Sequence, residues 1–250
     1  MRRLSFGRAV VWSFALSLAA CAPTPSPTPI ALRVAATDLT SPLLFDLAAA
    51  YGEARPEVAL LPAVAPLSTL NADLVAGRAD LGLVVTRDPG GFATPIGYLT
   101  FAIVVNPANP VTRLSTAQAQ AIYAGRINDW GQVGGATGEI QVVGREEQSD
   151  AERAFSLSAL SGASLTLSAL VAPTWEAMRE AVSQNPNVIG YLPAPELNGS
   201  VKRIEMDANW RALIVAVAPG EPIGPARDFL ALAQNEAGQA VVAKRFERVK

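Results

Sequence analysis

Between residues 32 and 85 the hydrophobic pattern changes its period four times, and that alternation restricts the fold more than any other feature. Residues 32–36 read as a short buried strand. A polar loop, Thr37 to Ser41, and Pro42 at a first helical position then open a helix that gathers Leu43, Leu44, Leu47 and Ala48 on one side. Residues 58–64 return to strand. Ser68 or Thr69 is expected to cap a helix ending at Gly77, and residues 79–85 form a third strand with Asp80 at its mouth. Strand, helix, strand, helix, strand is the rhythm of a parallel sheet with helices on both faces, so the chain is expected to be α/β.

A second alternating unit follows the apolar run at residues 96–106. It comprises a helix at 115–123, a strand at 139–143, a helix opening at Ser149, a helix at 174–183 and a strand at 188–192. Strands at 201–204 and 212–217 and helices at 225–233 and 237–246 complete the chain. No segment repeats at a fixed period of 20–50 residues, which excludes solenoids. Two such units with a ligand between them would gather the loops at 37–41, 66–69, 86–88 and 145–150 around one cleft.

The most informative of these loops lies within residues 139–155. A β-branched strand runs into the polar turn Gly144-Arg-Glu-Glu-Gln148, and Ser149 with Glu152 three residues later has the form of a capping box. The N-terminus of such a helix presents unpaired N–H groups and a partial positive charge, and Arg145 stands just before it with a planar, fork-shaped cation. The arrangement suits a small oxyanion. Read purely locally, Ser149 caps its own helix and Arg145 pairs with a neighbouring Glu.

Composition removes several alternatives. Charged residues are 17% of the chain, without a long like-charge run. The formal net charge of −2 includes Arg2, Arg3 and Arg8; without them 17 basic residues face 22 acids, a net of −5. Nucleic acid is therefore not an expected partner, since backbone binding needs clustered Lys and Arg. The chain has no histidine and one cysteine, Cys21. Ser-His-Asp and Cys-His systems and ordinary zinc sites are thereby removed, and neither metal nor cofactor is expected. A Ser-Lys pair is no substitute: Lys202, Lys244 and Lys250 stand near no serine in a recognisable loop. No enzyme is expected. Trp130, Tyr123 and Tyr191 lie in or beside apolar periodic segments and are expected to pack in the interior. Asn198-Gly-Ser200 reads as a surface turn.

The first thirty residues read separately. Residues 1–8 are short and basic, residues 9–20 are apolar, and the run ends Leu18-Ala-Ala-Cys21. This resembles the bacterial lipoprotein signal, cut before a cysteine whose thiol is lipidated. It implies a signal peptide over 1–20, lipid on Cys21 and stable attachment to the membrane through more than one acyl chain. Residues 22–29 carry four prolines, so 21–30 is expected to be an extended tether.

Several stretches are similar to the phosphate-binding proteins of bacterial ABC transporters. Residues 114–134, with Tyr123-Ala-Gly-Arg-Ile127 and Asn128-Asp-Trp130, match that family's helix, turn and Asn-x-Trp segment. Ile103-Val-Val-Asn-Pro-Ala-Asn-Pro-Val111, Arg78-Ala-Asp-Leu-Gly82, Val188-Ile-Gly-Tyr191 and Gly238-Gln239 fall in the expected order, so the likeness spans residues 31–250. It implies a two-lobed periplasmic-binding-protein-like fold, each lobe a mostly parallel sheet flanked by helices, with a ligand cleft between the lobes. Lobe I would comprise 31–104 plus 208–250 and lobe II 105–207, with chain crossings near 104 and 208 and closure by hinge motion.

The resemblance further implies a monomeric, lipid-anchored, extracytoplasmic solute-binding protein, in a periplasm or at the cell surface, that passes phosphate or a similar oxyanion to an ABC permease. Carried over by position, the ligand residues would be Thr40, Ser41, Ser68, Thr86, Arg87, Arg145, Glu147, Ser149 and Asp150, with Glu147 or Asp150 accepting the proton of hydrogen phosphate. The sequence departs from the family at the ligand loops. Gln148, Asp150 and Ala151 replace Gly, Gly and Thr around Ser149; Val64-Ala-Pro-Leu-Ser68 replaces a Gly-Gly-Gly-Ser loop; and Asp38 enters the first loop. Asp38 and Asp150 would repel an anion unless Arg87 or Arg145 screens them. The alternative reading keeps the fold with a different small ligand, bearing an amine or sugar hydroxyls, or a sensory or scaffolding role.

Overall fold

The computed structural model describes residues 30–86, 91–147 and 149–249. The leader, Cys21, the tether up to residue 29, Arg87 and Gln148 lie outside the described residues.

The alternating pattern folds as expected in its first unit. Strand β1 (Ile30–Ala36) lies parallel to β2 (Val58–Val64) on one side and to β3 (Leu81–Val85) on the other, with α1 (Ser41–Ala54) and α2 (Leu67–Val75) as crossovers. Pro42 opens α1, where its missing N–H costs no helical bond. Neither Ser68 nor Thr69 caps α2. The helix starts one residue earlier, with Pro66 at the N-cap position and no side-chain cap, so Ser68 is an exposed residue of its first turn.

The remaining strands are β4 (Phe92–Val105), β5 (Arg113–Leu114), β6 (Gln141–Gly144), β7 (Leu170–Val171), β8 (Val188–Pro193), β9 (Lys202–Arg203), β10 (Glu205–Met206), β11 (Trp210–Ala218) and β12 (Glu247–Arg248). The helices are α3 (Thr116–Tyr123), α4 (Asp150–Ala159), α5 (Trp175–Gln184), α6 (Gly224–Gln234) and α7 (Glu236–Val242), the last stopping before the expected Phe246.

The main sheet runs β2-β1-β3-β11-β4-β8-β6-β7. Its outer groups are parallel, as expected, but its centre is not: β11 is antiparallel to both β3 and β4, and β4 is antiparallel to β8. The 14-residue β4 is the reason one sheet serves both units. Residues 92–101 pair with β11, whereas Phe101 to Val105 pair with β8. The exchange of partners at Phe101, opposite Trp210, is where the chain passes from one half of the sheet to the other.

Beneath this junction lies an aromatic cluster. Phe155 of α4 stacks on Tyr191 of β8 with ring centroids 3.6 Å apart and planes within 2°, and it meets Phe101, Tyr123 and Trp210 edge-on. Trp130, Tyr123 and Tyr191 are all buried, as their apolar settings imply. Burial pushes the Tyr123 and Tyr191 phenols up, so both stay neutral and serve as hydrogen-bonding groups. The Tyr123 hydroxyl donates to the Gly190 carbonyl at 2.8 Å. Asn198 to Ser200 form an exposed turn in which Asn198 Oδ1 accepts from the Ser200 backbone at 3.0 Å.

Candidate functional site

The loops at the carboxyl ends of β1 and β6 approach each other, and Arg145 occupies the meeting point. It follows β6 directly. Its backbone N–H donates to the Tyr191 hydroxyl at 3.2 Å, Nη1 donates to the Ala172 carbonyl at 3.2 Å, and Cζ sits 4.6 Å from the centre of the Trp175 ring. Such a face-on contact favours the charged guanidinium and fixes its plane. The side chain is only 11% exposed, and its Nη2 lies 3.5 Å from Oδ2 of Asp38. Arg145 Nε is buried without a hydrogen-bond partner among the described residues.

Five residues on, the N-terminus of α4 is built as the sequence implies. Ser149 Oγ accepts from the Glu152 backbone N–H at 3.1 Å, and Asp150 and Glu152 place acid in the first turn, where the helix dipole favours it. One oxygen of Asp150, Oδ2, is buried and lacks a partner among the described residues. A buried donor on Arg145 and a buried acceptor on Asp150 are both costly when unmade, which marks this turn as a place for a bound polar group. Glu147 is exposed on the same turn.

The first loop differs from its expected role. Thr40 is wholly buried, and its hydroxyl donates to the Leu83 carbonyl at 2.6 Å while accepting from the Thr37 N–H at 3.2 Å. Its hydroxyl proton is engaged in shaping the loop. The Ser41 hydroxyl donates to the Asp38 carbonyl at 3.1 Å. The loop closed in this way turns Asp38 outward, toward Arg145.

Thr86, half-buried just after β3, lines a cavity of about 370 Å³ together with Leu67, Asn71, Gly91 and Arg153. Arg153 also borders a second cavity of about 590 Å³, shared with Arg145, Glu147 and Glu152. The structure therefore brings Arg145, Glu147, Ser149 and Asp150 together, with Thr86 one cavity away across Arg153. Ser68 lines neither cavity. Sequence reasoning missed Trp175, Ala172 and Arg153, and took Asp38 as a charge that Arg145 or Arg87 would have to screen; Arg145 does stand 3.5 Å from it. For Arg153 a signal existed, since it lies one helical turn beyond Ser149. Trp175 carries none, because its contact with Arg145 is purely tertiary.

Among the described residues no cluster of three or more Asp, Glu, His or Cys could hold a metal ion.

With this fold and turn in view, residues 22–205 match the model of a PBP superfamily domain, and the chain belongs to that superfamily. It is 26% identical over 257 aligned positions to the phosphate-binding protein PstS of Pseudomonas aeruginosa, covering 83% of this chain and 79% of that one. A PstS of Bacillus subtilis is 27% identical over 97 residues, 39% of this chain; the match spans only 32% of that protein. In three dimensions the chain is similar to an ABC-type phosphate transport receptor from Vibrio cholerae, with a TM-score of 0.75, 22% identity and coverage of 88% of this chain and 100% of that one. That likeness concerns the fold.

Proposed function

We propose that this protein is a lipid-anchored, extracytoplasmic solute-binding protein of an ABC transporter that holds phosphate or a similar small oxyanion at the Arg145 turn and delivers it to a membrane permease. The observation that carries this reading is the Arg145 guanidinium, 11% exposed, buttressed by Trp175 and the Ala172 carbonyl, five residues before the start of α4. An oxyanion there would receive charge-assisted hydrogen bonds from Arg145, the Ser149 hydroxyl and the first N–H groups of α4. The buried Asp150 Oδ2 suits a ligand that can donate, as hydrogen phosphate does and fully ionised sulfate does not. Thr86, Arg87, Glu147 and the Ser41 and Ser68 loops complete the proposed surroundings.

The relatives named as phosphate-binding proteins and the phosphate transport receptor of like fold support this assignment. So does the partner exchange in β4, which suits a hinge between lobe I (31–104 and 208–250) and lobe II (105–207) with the ligand cleft between them. The lipoprotein-like leader supports anchoring through Cys21 at the outer face of the cell membrane, as a monomer.

Calorimetric titration with phosphate, then with sulfate, molybdate and tungstate, tests the reading. Selective heat with phosphate, weakened roughly a hundredfold in Arg145→Ala, is expected from the loss of two charge-assisted bonds. Absence of heat with every oxyanion would refute it and favour the second reading, a ligand bearing an amine or hydroxyl donors. That alternative rests on Asp38 and the unpartnered Asp150 oxygen standing at the same turn.

A further inference from the structure

The nitrogen of Arg145 that an oxyanion would use already faces a carboxylate of the chain itself. Asp38, from the loop after β1, places Oδ2 3.5 Å from Nη2 of Arg145, at the end of β6. The two partners are unequally held. Arg145 is fixed by the Trp175 face, the Ala172 carbonyl and the Tyr191 hydroxyl, none of which depends on Asp38. The Asp38 side chain is 62% exposed and makes no side-chain hydrogen bond among the described residues. At 3.5 Å the contact is longer than a good charge-assisted bond, so it can open toward solvent without stranding a buried charge on the Asp38 side.

We propose that Asp38 is a specificity-determining residue of the oxyanion site: a tethered carboxylate that sits against Arg145 Nη2 until an incoming anion displaces it. This rests on the reading of Arg145 as the oxyanion holder. The consequence is a filter by ligand chemistry. A free monocarboxylate such as acetate offers Arg145 little beyond what Asp38 offers without losing translational freedom, so it cannot displace it. An oxyanion of charge near two, with oxygens enough to engage Arg145 and the α4 N–H groups together, gains more than the exposed pair loses. The ligand class is therefore the small multi-oxygen dianion, and Asp38 keeps affinity modest and singly charged anions out.

The test is calorimetric titration of the wild type, Asp38→Asn and Asp38→Ser with inorganic phosphate and with acetate at low ionic strength. Glu205→Gln, which removes a carboxylate of the exposed Arg113–Glu205 pair on β10, controls for net charge. Both Asp38 variants are expected to bind phosphate roughly twofold to fivefold tighter, the range of an exposed ion pair. They should also gain measurable acetate binding, while Glu205→Gln behaves as wild type. The ligand-free thermal midpoint of the Asp38 variants should stay level or fall, since a tether is lost. Tighter binding without ligand-free stabilisation is the signature of a removed competitor. Unchanged or weaker phosphate binding in both variants would overturn the role of Asp38 while leaving the oxyanion site standing. No heat with phosphate in any of the four proteins would overturn both.

Discussion

Replacing Phe155 tests how helix α4 is seated. The ring is fully buried and reaches three strands at once: Tyr191 of β8 by stacking at 3.6 Å, Phe101 of β4 at 5.5 Å and Trp210 of β11 at 5.9 Å. Phe155→Ala deletes the ring and leaves a cavity among aromatic neighbours that are themselves pinned by strand pairing and, for Tyr123, by its bond to the Gly190 carbonyl. Such a site collapses poorly. The loss belongs in the upper part of the 3–5 kcal/mol typical of Phe→Ala, about 4 kcal/mol. Phe155→Leu keeps most of the volume and forfeits mainly the ring geometry, about 1–2 kcal/mol, because aromatic pair energies within one cluster do not add. Against a total of roughly 5–15 kcal/mol the alanine variant should remain folded but unfold about 10 °C lower. Urea unfolding followed by tryptophan fluorescence reads both values. The same titration used for phosphate should show weaker binding in Phe155→Ala, because the Ser149 end of α4 loses its anchor. A cost below about 1.5 kcal/mol for the alanine variant would show that α4 is seated by something other than this ring, and the coupling argued between site and sheet would fail.

Two further outcomes follow from other parts of the fold. Gly238→Ala, although it adds a good helix former to α7, should destabilise by about 3 kcal/mol in urea titration, since an added Cβ would lie 2.8 Å from the Ala233 Cα and closer still to the Leu232 carbonyl oxygen; a stabilised variant would contradict the packing at the α6–α7 corner. For Asp80, burial pushes the carboxyl up, but bonds from the Arg33 side chain and backbone outweigh it and hold the pKa below the ordinary 3.8. A depressed carboxylate stabilises the fold above its unfolded value and loses that contribution as pH falls through the folded one, so the stability gap between wild type and Asp80→Asn should be full at neutral pH and close below 3.8; a gap that widens on acidification would reverse the assignment.

Much of the fold was legible because local pattern and tertiary use agree. The period changes between residues 32 and 85 mark β1 to β3 closely, Ser149 caps α4 as its spacing implies, and the helices expected from 115 and 174 begin within a residue of those positions. What local pattern could not give was the antiparallel centre of the sheet. An apolar run such as 92–105 has no feature stating that its first part pairs with β11 and its last with β8, because pairing is decided by partners far away in the chain. The committed hydroxyl of Thr40 was equally hidden, since its acceptor, the Leu83 carbonyl, lies 43 residues on. The Trp175 face over Arg145 is of the same kind.

The structure also explains why the resemblance specified the architecture more firmly than the ligand. The stretches that carry it are stitches. Asn106 donates to the Val182 and Ser183 carbonyls and Asn109 to that of Pro186, tying the segment after β4 to the end of α5. Trp130 Nε1 donates to the Asn187 carbonyl, and Asp80 clasps Arg33 across β3 and β1. Gln239, buried beside Gly238, donates to the Ile96 and Ala233 carbonyls and accepts from the Val249 N–H. Each leaves a buried backbone group unpaired if changed, so each is demanded by the fold whatever the cleft holds. The loops around Arg145 carry such bonds too, from Thr40 to the Leu83 carbonyl and from Arg145 to that of Ala172, but Asp38 and Asp150, which depart from the family there, are not among the stitches. One element joins the two sets. Tyr191 pairs through β8 with Ile103 of β4, stacks on Phe155 of α4 and accepts the Arg145 N–H, so the residue that completes the sheet also sets the position of the cation. Tyr191 and Phe155 therefore hold the Arg145 cation in place whatever residues stand in the loops around it. The carboxylates at this turn are Asp38, 3.5 Å from Arg145 Nη2, and Asp150, whose Oδ2 is buried without a partner among the described residues.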